Sequence, residues 1–295
     1  MFYAIKGVTK DYIWGGSRLG AYGYPGERVA EAWVLSFHPD GMASTGGRPV
    51  ADVLTRDTWG AACAPFAEFP VLIKLIDAKD NLSVQVHPSD EYALKNEGQF
   101  GKTEMWYVLG ADEGAGLYVG FREAVDKATF MRLIAENRLT EALNFFPVKP
   151  GDCYFIPAGT VHAIGRGCLI AEVQQNSNLT YRVYDYGRLG ADGRPRPLHI
   201  DKAAAVADLG RYTPRRAPGG ALAECRYFRT ELAEGRLGRD DSFTSVLFTE
   251  DGAVDGVAAP KGTSCFIPAG ARADVCGRAI VTTVPPAADP SRTAR

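Results

Sequence analysis

One segment of the chain occurs twice. Residues 151–164 read GDCYFIPAGTVHAI, and residues 262–275 read GTSCFIPAGARADV. Of the 14 aligned positions, 8 are identical or nearly so, including a shared G-x5-P-A-G. A strand that ends in a Pro-Gly turn and recurs at an offset of 111 residues predicts two copies of one barrel-like unit. The copies differ where it matters chemically, because His162 of the first stands opposite Ala273 of the second. If His162 binds a metal, the second copy has lost the site and is structural.

The remaining sequence fits such a unit. Its 33 glycines and 18 prolines punctuate short apolar runs, the pattern of an all-β sandwich or barrel rather than a helical bundle. Strands are expected over Phe69–Ile76, Leu82–Val86, Glu104–Leu109, Gly116–Val119, Asp152–Ile156, Gly167–Gln174 and Ser245–Phe248. The spacing of Phe130, Leu133, Ile134, Leu139 and Leu143 predicts helix over Arg122–Asn137 and Thr140–Phe146, capping one end of the barrel. A second short helix is expected over Asp201–Leu209, at the passage between the two halves. The N-terminal strands can pair with either unit. The tail Pro285–Arg295 reads as frayed.

Charge and cysteine usage narrow the function classes. With 33 basic and 35 acidic residues the formal charge is -2, which leaves no electrostatic footprint for nucleic acid or an anionic membrane surface. No apolar run is long enough to span a bilayer, and MFYAIKGVTKDYIWGG does not read as a signal peptide. The six cysteines form no C-x-x-C pair, and buried reduced thiols in a cytoplasmic protein are expected.

Histidine is scarce, with His38, His87, His162 and His199 only. In Ser83–Pro88, strand alternation puts Val84 and Val86 on one face and Gln85 and His87 on the other. In Gly101–Leu109, Lys102, Glu104 and Trp106 share a face opposite Thr103, Met105 and Tyr107. Polar groups that converge inside a β-barrel need a partner, because unpaired burial is costly. Gln85, His87, Glu104 and His162 together offer two imidazoles, a carboxylate and an amide oxygen. That set suits one Zn²⁺ per chain with an open position, and Mn²⁺, Fe²⁺ or Co²⁺ are compatible with it.

The segment G-x5-P-x-G-x2-H at 151–162 resembles the second cupin motif. Where the first cupin motif usually has H-x-H, this chain has Gln85-x-His87, with Glu104 further on. That order is similar to the type I mannose-6-phosphate isomerases, whose metal ligands are Gln, His, Glu and His. The segments DYIWGGSRLG, AEAWVLSFHPDG, KLIDAKDNLSVQVHPSDEYA, GKTEMWYVL and EVQQNSNLTYRVYDYGR also resemble that family, over roughly residues 1–200, and the insert between Glu104 and His162 resembles its short bacterial form. The C-terminal hundred residues or so diverge most.

The resemblance implies a mainly β fold of two cupin-type (jelly-roll) β-barrels with a short helical insert. Residues 1–200 are then the metal-binding catalytic barrel, with the N-terminal strands and the insert 122–146, and 201–295 a second, metal-free barrel. It implies interconversion of mannose 6-phosphate and fructose 6-phosphate through a cis-enediol(ate). Its implied metal ligands are Gln85, His87, Glu104 and His162. Lys102, Glu172 and Arg182 match catalytic positions, with Lys102 and Glu172 both open as the general base, and Trp14, Lys74, Lys102 and Arg182 match substrate-binding ones. The partner is a small-molecule sugar phosphate, with no nucleic acid or membrane, and the chain is a monomer or homodimer. A non-catalytic sugar-phosphate-binding cupin, a structural double barrel, and an isomerase of another phosphorylated sugar remain the competing readings.

Overall fold

Successive side chains of a strand point to opposite faces, and one sheet of this protein uses both of its faces. The computed structural model describes residues 1–190, 193–214 and 218–286. Its central six-stranded antiparallel sheet runs in the order Cys153–Ile156, Glu104–Ala111, Cys168–Gln175, Val71–Asp77, Glu31–Leu35, Val8–Lys10. Ala32, Val34, Ile73, Leu75, Met105, Tyr107, Ala171 and Val173 turn one way, into a core shared with Phe243, Leu247, Phe266 and Ile280 of the C-terminal sheet. The alternate residues, among them Glu31, Lys74, Glu104, Trp106 and Glu172, face the other way and are buried all the same. They look toward a five-stranded sheet ordered Leu143–Pro147, Gly116–Phe121, His162–Ile164, Val84–Val86, Tyr181–Tyr184. Between the two sheets Ile76, Trp106, Val108 and Ile170 pack on Leu117, Val119 and Ile164.

The outer face of the five-stranded sheet is covered by the helices Lys127–Ala135 and Ile200–Val206. The first is shorter than the sequence pattern predicts. It begins after Asp126, whose side chain accepts from the Thr129 amide, and it ends before Asn137, which has a left-handed φ of 57°. Thr140–Phe146 is not helical: a short 3-10 turn at Leu139–Glu141 leads into the strand Leu143–Pro147. Two physical facts decide this. Pro147 disfavours helical backbone in the residue before it, and Phe145 and Phe146 gain ring partners in the strand, on Tyr118 and Tyr154.

The C-terminal sheet has eight strands, and the chain's first strand, Tyr3–Ile5, pairs with Ser264–Ile267 inside it. The next strand, Val8–Lys10, pairs with Glu31–Leu35 of the central sheet, so the N-terminal strands are divided between both. The duplicated segments adopt the same backbone. Gly151 and Gly262 have φ of 93° and 85°, and Gly159 and Gly270 have φ of 89° and 80°. The amides of Thr160 and Ala271 close the same turn onto the carbonyls of Pro157 and Pro268. The fold is mainly β, of jelly-roll type. All six cysteines are free, but Cys276 is exposed, contrary to the expectation of uniformly buried thiols, because its strand position alternates outward. Most of the Pro285–Arg295 tail lies outside the described residues. Among the described residues no helix is long and apolar enough to cross a membrane.

Candidate active site and metal centre

Register brings the predicted residues together. His162 is the Cα partner of Gln85, and Gln85 is in turn the partner of Arg182. On the facing sheet Glu172 pairs with both Lys74 and Trp106, and Gln174 pairs with Glu104. The Pro-Ala-Gly turn ahead of His162 is tied to the other histidine, since the Gly159 amide donates to the His87 carbonyl over 2.8 Å.

His87, Glu104 and His162 are buried, with one ligand atom of each within 4.8 Å of the others. The His87 Nδ1–H donates to the Leu179 carbonyl at 2.9 Å, and the His162 Nδ1–H to the Thr160 carbonyl at 2.8 Å. Both rings therefore present the Nε2 lone pair inward, as metal-binding imidazoles do when a backbone carbonyl holds their Nδ1–H. The His162 Nε2 lies 3.2 Å from Glu104 Oε1 and the His87 Nε2 lies 3.6 Å from Glu104 Oε2. Burial, reinforced by the Lys102 ammonium, pushes His162 down to about 3 and His87 well below its usual value, so both are neutral at pH 7. The Gln85 amide sits 3.4 Å from the His162 Nε2, and a half-turn of that amide presents its oxygen instead.

Two observations test whether these groups fit a cation. Glu104 Oε1 is buried with no hydrogen-bond donor of its own. The buried charges around it are the carboxylates of Glu31, Glu104 and Glu172 against the ammonium groups of Lys74 and Lys102. An orphaned carboxylate oxygen, two aimed imidazoles and an excess of buried negative charge all favour a divalent cation. Among the described residues no other group of three or more His, Cys, Asp or Glu converges in this way.

Beside this cluster opens a cavity of about 280 Å³ whose wall includes Trp14, Lys74, Gln85, Lys102, Glu172 and Arg182. Lys102 bonds to Glu104, stands 3.1 Å from His87 Nε2 and faces Glu172 at 3.8 Å. Burial lowers its ammonium to about 8, against the opposing pull of Glu172. Glu172 accepts the Trp106 indole N–H at 2.7 Å and has Lys74 at 3.6 Å. Burial opposes its ionisation, but Lys102 and Lys74 outweigh that and hold its carboxyl below the usual range. Burial likewise opposes charge on Lys74, yet Glu31 and Glu172 on either side raise it. At the other end, Arg182 is held by Ser83 Oγ at 3.3 Å and the Pro197 carbonyl at 3.0 Å. Trp14 forms apolar wall, tilted against Tyr12 at 5.5 Å between ring centroids.

Of the sequence-predicted site residues, Trp14, Lys74, Gln85, Lys102, Glu172 and Arg182 line one cavity, and His87, Glu104 and His162 form the buried cluster that Lys102 joins to it. Sequence reasoning missed several neighbours. Glu31 accepts the Trp33 indole N–H at 2.6 Å and flanks Lys74 at 3.5 Å, and only the shared inward phase of Glu31 and Trp33 signalled it. Arg196 lines the cavity and forms a two-pronged bond to Asp185, with Arg188 on the same carboxylate. Asp185 and Arg188 lie within the segment EVQQNSNLTYRVYDYGR, but no spacing pattern singled them out, and Arg196 lies in irregular chain outside any such segment. His38 and His199 lie outside the cluster of three: His38 caps a 3-10 turn, and His199 accepts the Arg182 backbone amide at 3.2 Å.

Comparisons with known proteins place the chain in a family. The family model described as phosphomannose isomerase type I, catalytic domain, matches residues 2–107. The chain is 43% identical over 209 residues to mannose-6-phosphate isomerase of Streptococcus mutans, an alignment that spans 68% of this chain and 65% of that protein. To a mannose-6-phosphate isomerase of Bacillus subtilis it is 37% identical over 241 residues, 76% of each chain. The crystal structure of the mannose 6-phosphate isomerase from Bacillus subtilis superposes with a TM-score of 0.85 at 31% identity, over 96% of this chain and 98% of that one. On the family model, the 37% identity over 76% of each chain and the shared fold, the chain belongs to the type I phosphomannose isomerases.

Proposed function

We propose that this protein interconverts mannose 6-phosphate and fructose 6-phosphate at the cavity beside Glu104, with Zn²⁺ held by Gln85, His87, Glu104 and His162. The observation that carries the reading is the convergence of two Nε2 lone pairs and the unpartnered Glu104 Oε1 on a cavity bordered by Lys102, Glu172 and Arg182. When bound there, the cation supplies Lewis-acid stabilisation of negative charge on the sugar oxygens.

The chain's own residues do the rest. Isomerisation moves a proton between C2 and C1 and passes through a cis-enediolate. Lys102 lines the open cavity beside the proposed metal ligands, and we assign the proton transfer to it: its neutral amine takes the proton from C2 and the ammonium so formed returns it to C1. Glu172 sits across the cavity floor, oriented by the Trp106 indole, and holds the Lys102 ammonium by charge. Lys74, fixed between Glu31 and Glu172, and the wall residue Trp14 contact the sugar. Arg182, whose guanidinium plane is set by Ser83 and Pro197, meets the anionic end of the substrate, together with Arg196. Residues 1–200 form the catalytic unit on this reading and 201–295 a metal-free unit. The protein acts in the cytoplasm, as a monomer or homodimer.

The test is a coupled assay for fructose 6-phosphate formed from mannose 6-phosphate, before and after chelation and with zinc added back. Activity should vanish with the chelator and return with zinc. A folded, zinc-loaded protein with no turnover overturns the assignment in favour of sugar-phosphate binding or another sugar phosphate as substrate.

A further inference from the structure

Three consecutive backbone amides at Lys102, just ahead of the strand Glu104–Ala111, are all held by residues beyond their own loop. The Gly101 N–H donates to Asp90 Oδ1 at 2.8 Å, the Lys102 N–H to the Pro88 carbonyl at 3.0 Å, and the Thr103 N–H to Gln175 Oε1 at 2.8 Å. Two of these acceptors depend on one carboxylate, because Asp90 Oδ1 also takes the Gln175 Nε2–H at 2.8 Å. Gly101 lies so close to this loop that an added Cβ would sit 2.5 Å from the Asp90 nitrogen. The other oxygen, Asp90 Oδ2, accepts the Tyr227 hydroxyl at 2.6 Å. Tyr227 belongs to the C-terminal part of the chain and packs on Phe66 at 5.9 Å between ring centroids. It touches neither the cavity wall nor the metal-ligating group.

Asp90 follows His87 by only the Pro88-Ser89 step. A carboxylate that fixes both Gly101 and Gln175 therefore sets how the His87 end of one strand meets the Lys102 start of another. We infer that Asp90 and Tyr227 are positioning residues for Lys102, and that the hydroxyl of Tyr227 is how the C-terminal unit fixes the reacting amino group. The inference rests on the role given to Lys102 above. Ion-dipole bonds of this kind are short and directional, and a displacement of an ångström at a reacting group costs far more in rate than in binding.

The experiment is Tyr227→Phe in the zinc-loaded full chain, alone and combined with Lys102→Met, with backbone amide exchange recorded on the single variant. The single variant should lower kcat by about tenfold, with KM for mannose 6-phosphate and zinc content unchanged. In the Lys102→Met background it should cost nothing further, since its effect runs through that residue. The amides of Gly101 and Lys102 should exchange faster relative to those of Cys168–Gln175. Losses that multiply in the double variant, or a kcat at the wild-type value, overturn the inference. If the wild-type protein itself shows no isomerase activity, the role of Lys102 falls, and amide exchange alone then decides whether Tyr227 holds the segment: unchanged protection at Gly101 and Lys102 overturns that as well.

Discussion

At the scale of single residues, the site combines neutral imidazoles with carboxylates that cannot satisfy themselves. His87→Ala and His162→Ala should each lose zinc on dialysis, as metal analysis of the purified variants will show, because each removes one of only two strong nitrogen donors. Arg182→Ala should keep its zinc and lose about 10²–10³-fold in kcat, measured in the coupled assay. Asp185 gives a pH signature. Burial opposes its ionisation, yet the bonds from Arg196 and Arg188 hold its carboxyl below the usual value. Its stabilising contribution is therefore complete above the unfolded carboxyl value of about 4 and is lost as pH falls through the lower folded value. Asp185→Asn should cost about 2 kcal/mol at pH 7 and progressively less toward pH 3, by denaturant titration at each pH. The proposed ligands could be read from the sequence because strand parity fixes which side chains share a face. The pairing of Asp185 with Arg188 and Arg196 could not, because irregular chain carries no parity, even though Asp185 and Arg188 lie in the segment EVQQNSNLTYRVYDYGR.

At the scale of elements, the two Pro-Ala-Gly turns form an internal control. Gly159 has φ 89°, and its added Cβ would lie 3.1 Å from the Val206 carbonyl, whereas Gly270 has φ 80° with open space around it. Gly270→Ala should cost about 1 kcal/mol, from backbone conformation alone, and Gly159→Ala roughly twice that. Urea midpoints will show the difference, and only Gly159→Ala should weaken zinc binding, because that turn bonds to the His87 carbonyl. The expected strands are present, with ends that differ by a few residues at most. The failure was local: Leu139 and Leu143 stand four apart, which reads as helix, but the backbone between them turns and leaves as a strand. A periodicity built on two residues has no power against a following Phe-Phe-Pro.

At the scale of the whole molecule, the two parts share a core that neither could bury alone. Phe69 is fully enclosed, stacked on Phe37 at 4.1 Å and tilted against Phe243 at 4.8 Å, so it joins the central sheet to the C-terminal one. Phe69→Ala should cost about 3–5 kcal/mol, and fluorescence and circular dichroism should still report one coincident transition. Two separated transitions would mean that the parts unfold independently. The duplication itself was legible from fourteen residues, but the crossing of the N-terminal strand was not, because pairing over such a distance leaves no local mark. That crossing has a consequence for synthesis. Tyr3 pairs with Phe266, so the strand Tyr3–Ile5 is made long before its partner Ser264–Ile267 and waits for it before the ladder closes. Throughout translation it is an unpaired edge, and closure of so long a loop belongs among the slow events of folding. The nascent chain therefore keeps Tyr3–Ile5 exposed until Ser264–Ile267 has been made, and products stalled before that strand should be the species that chaperones capture.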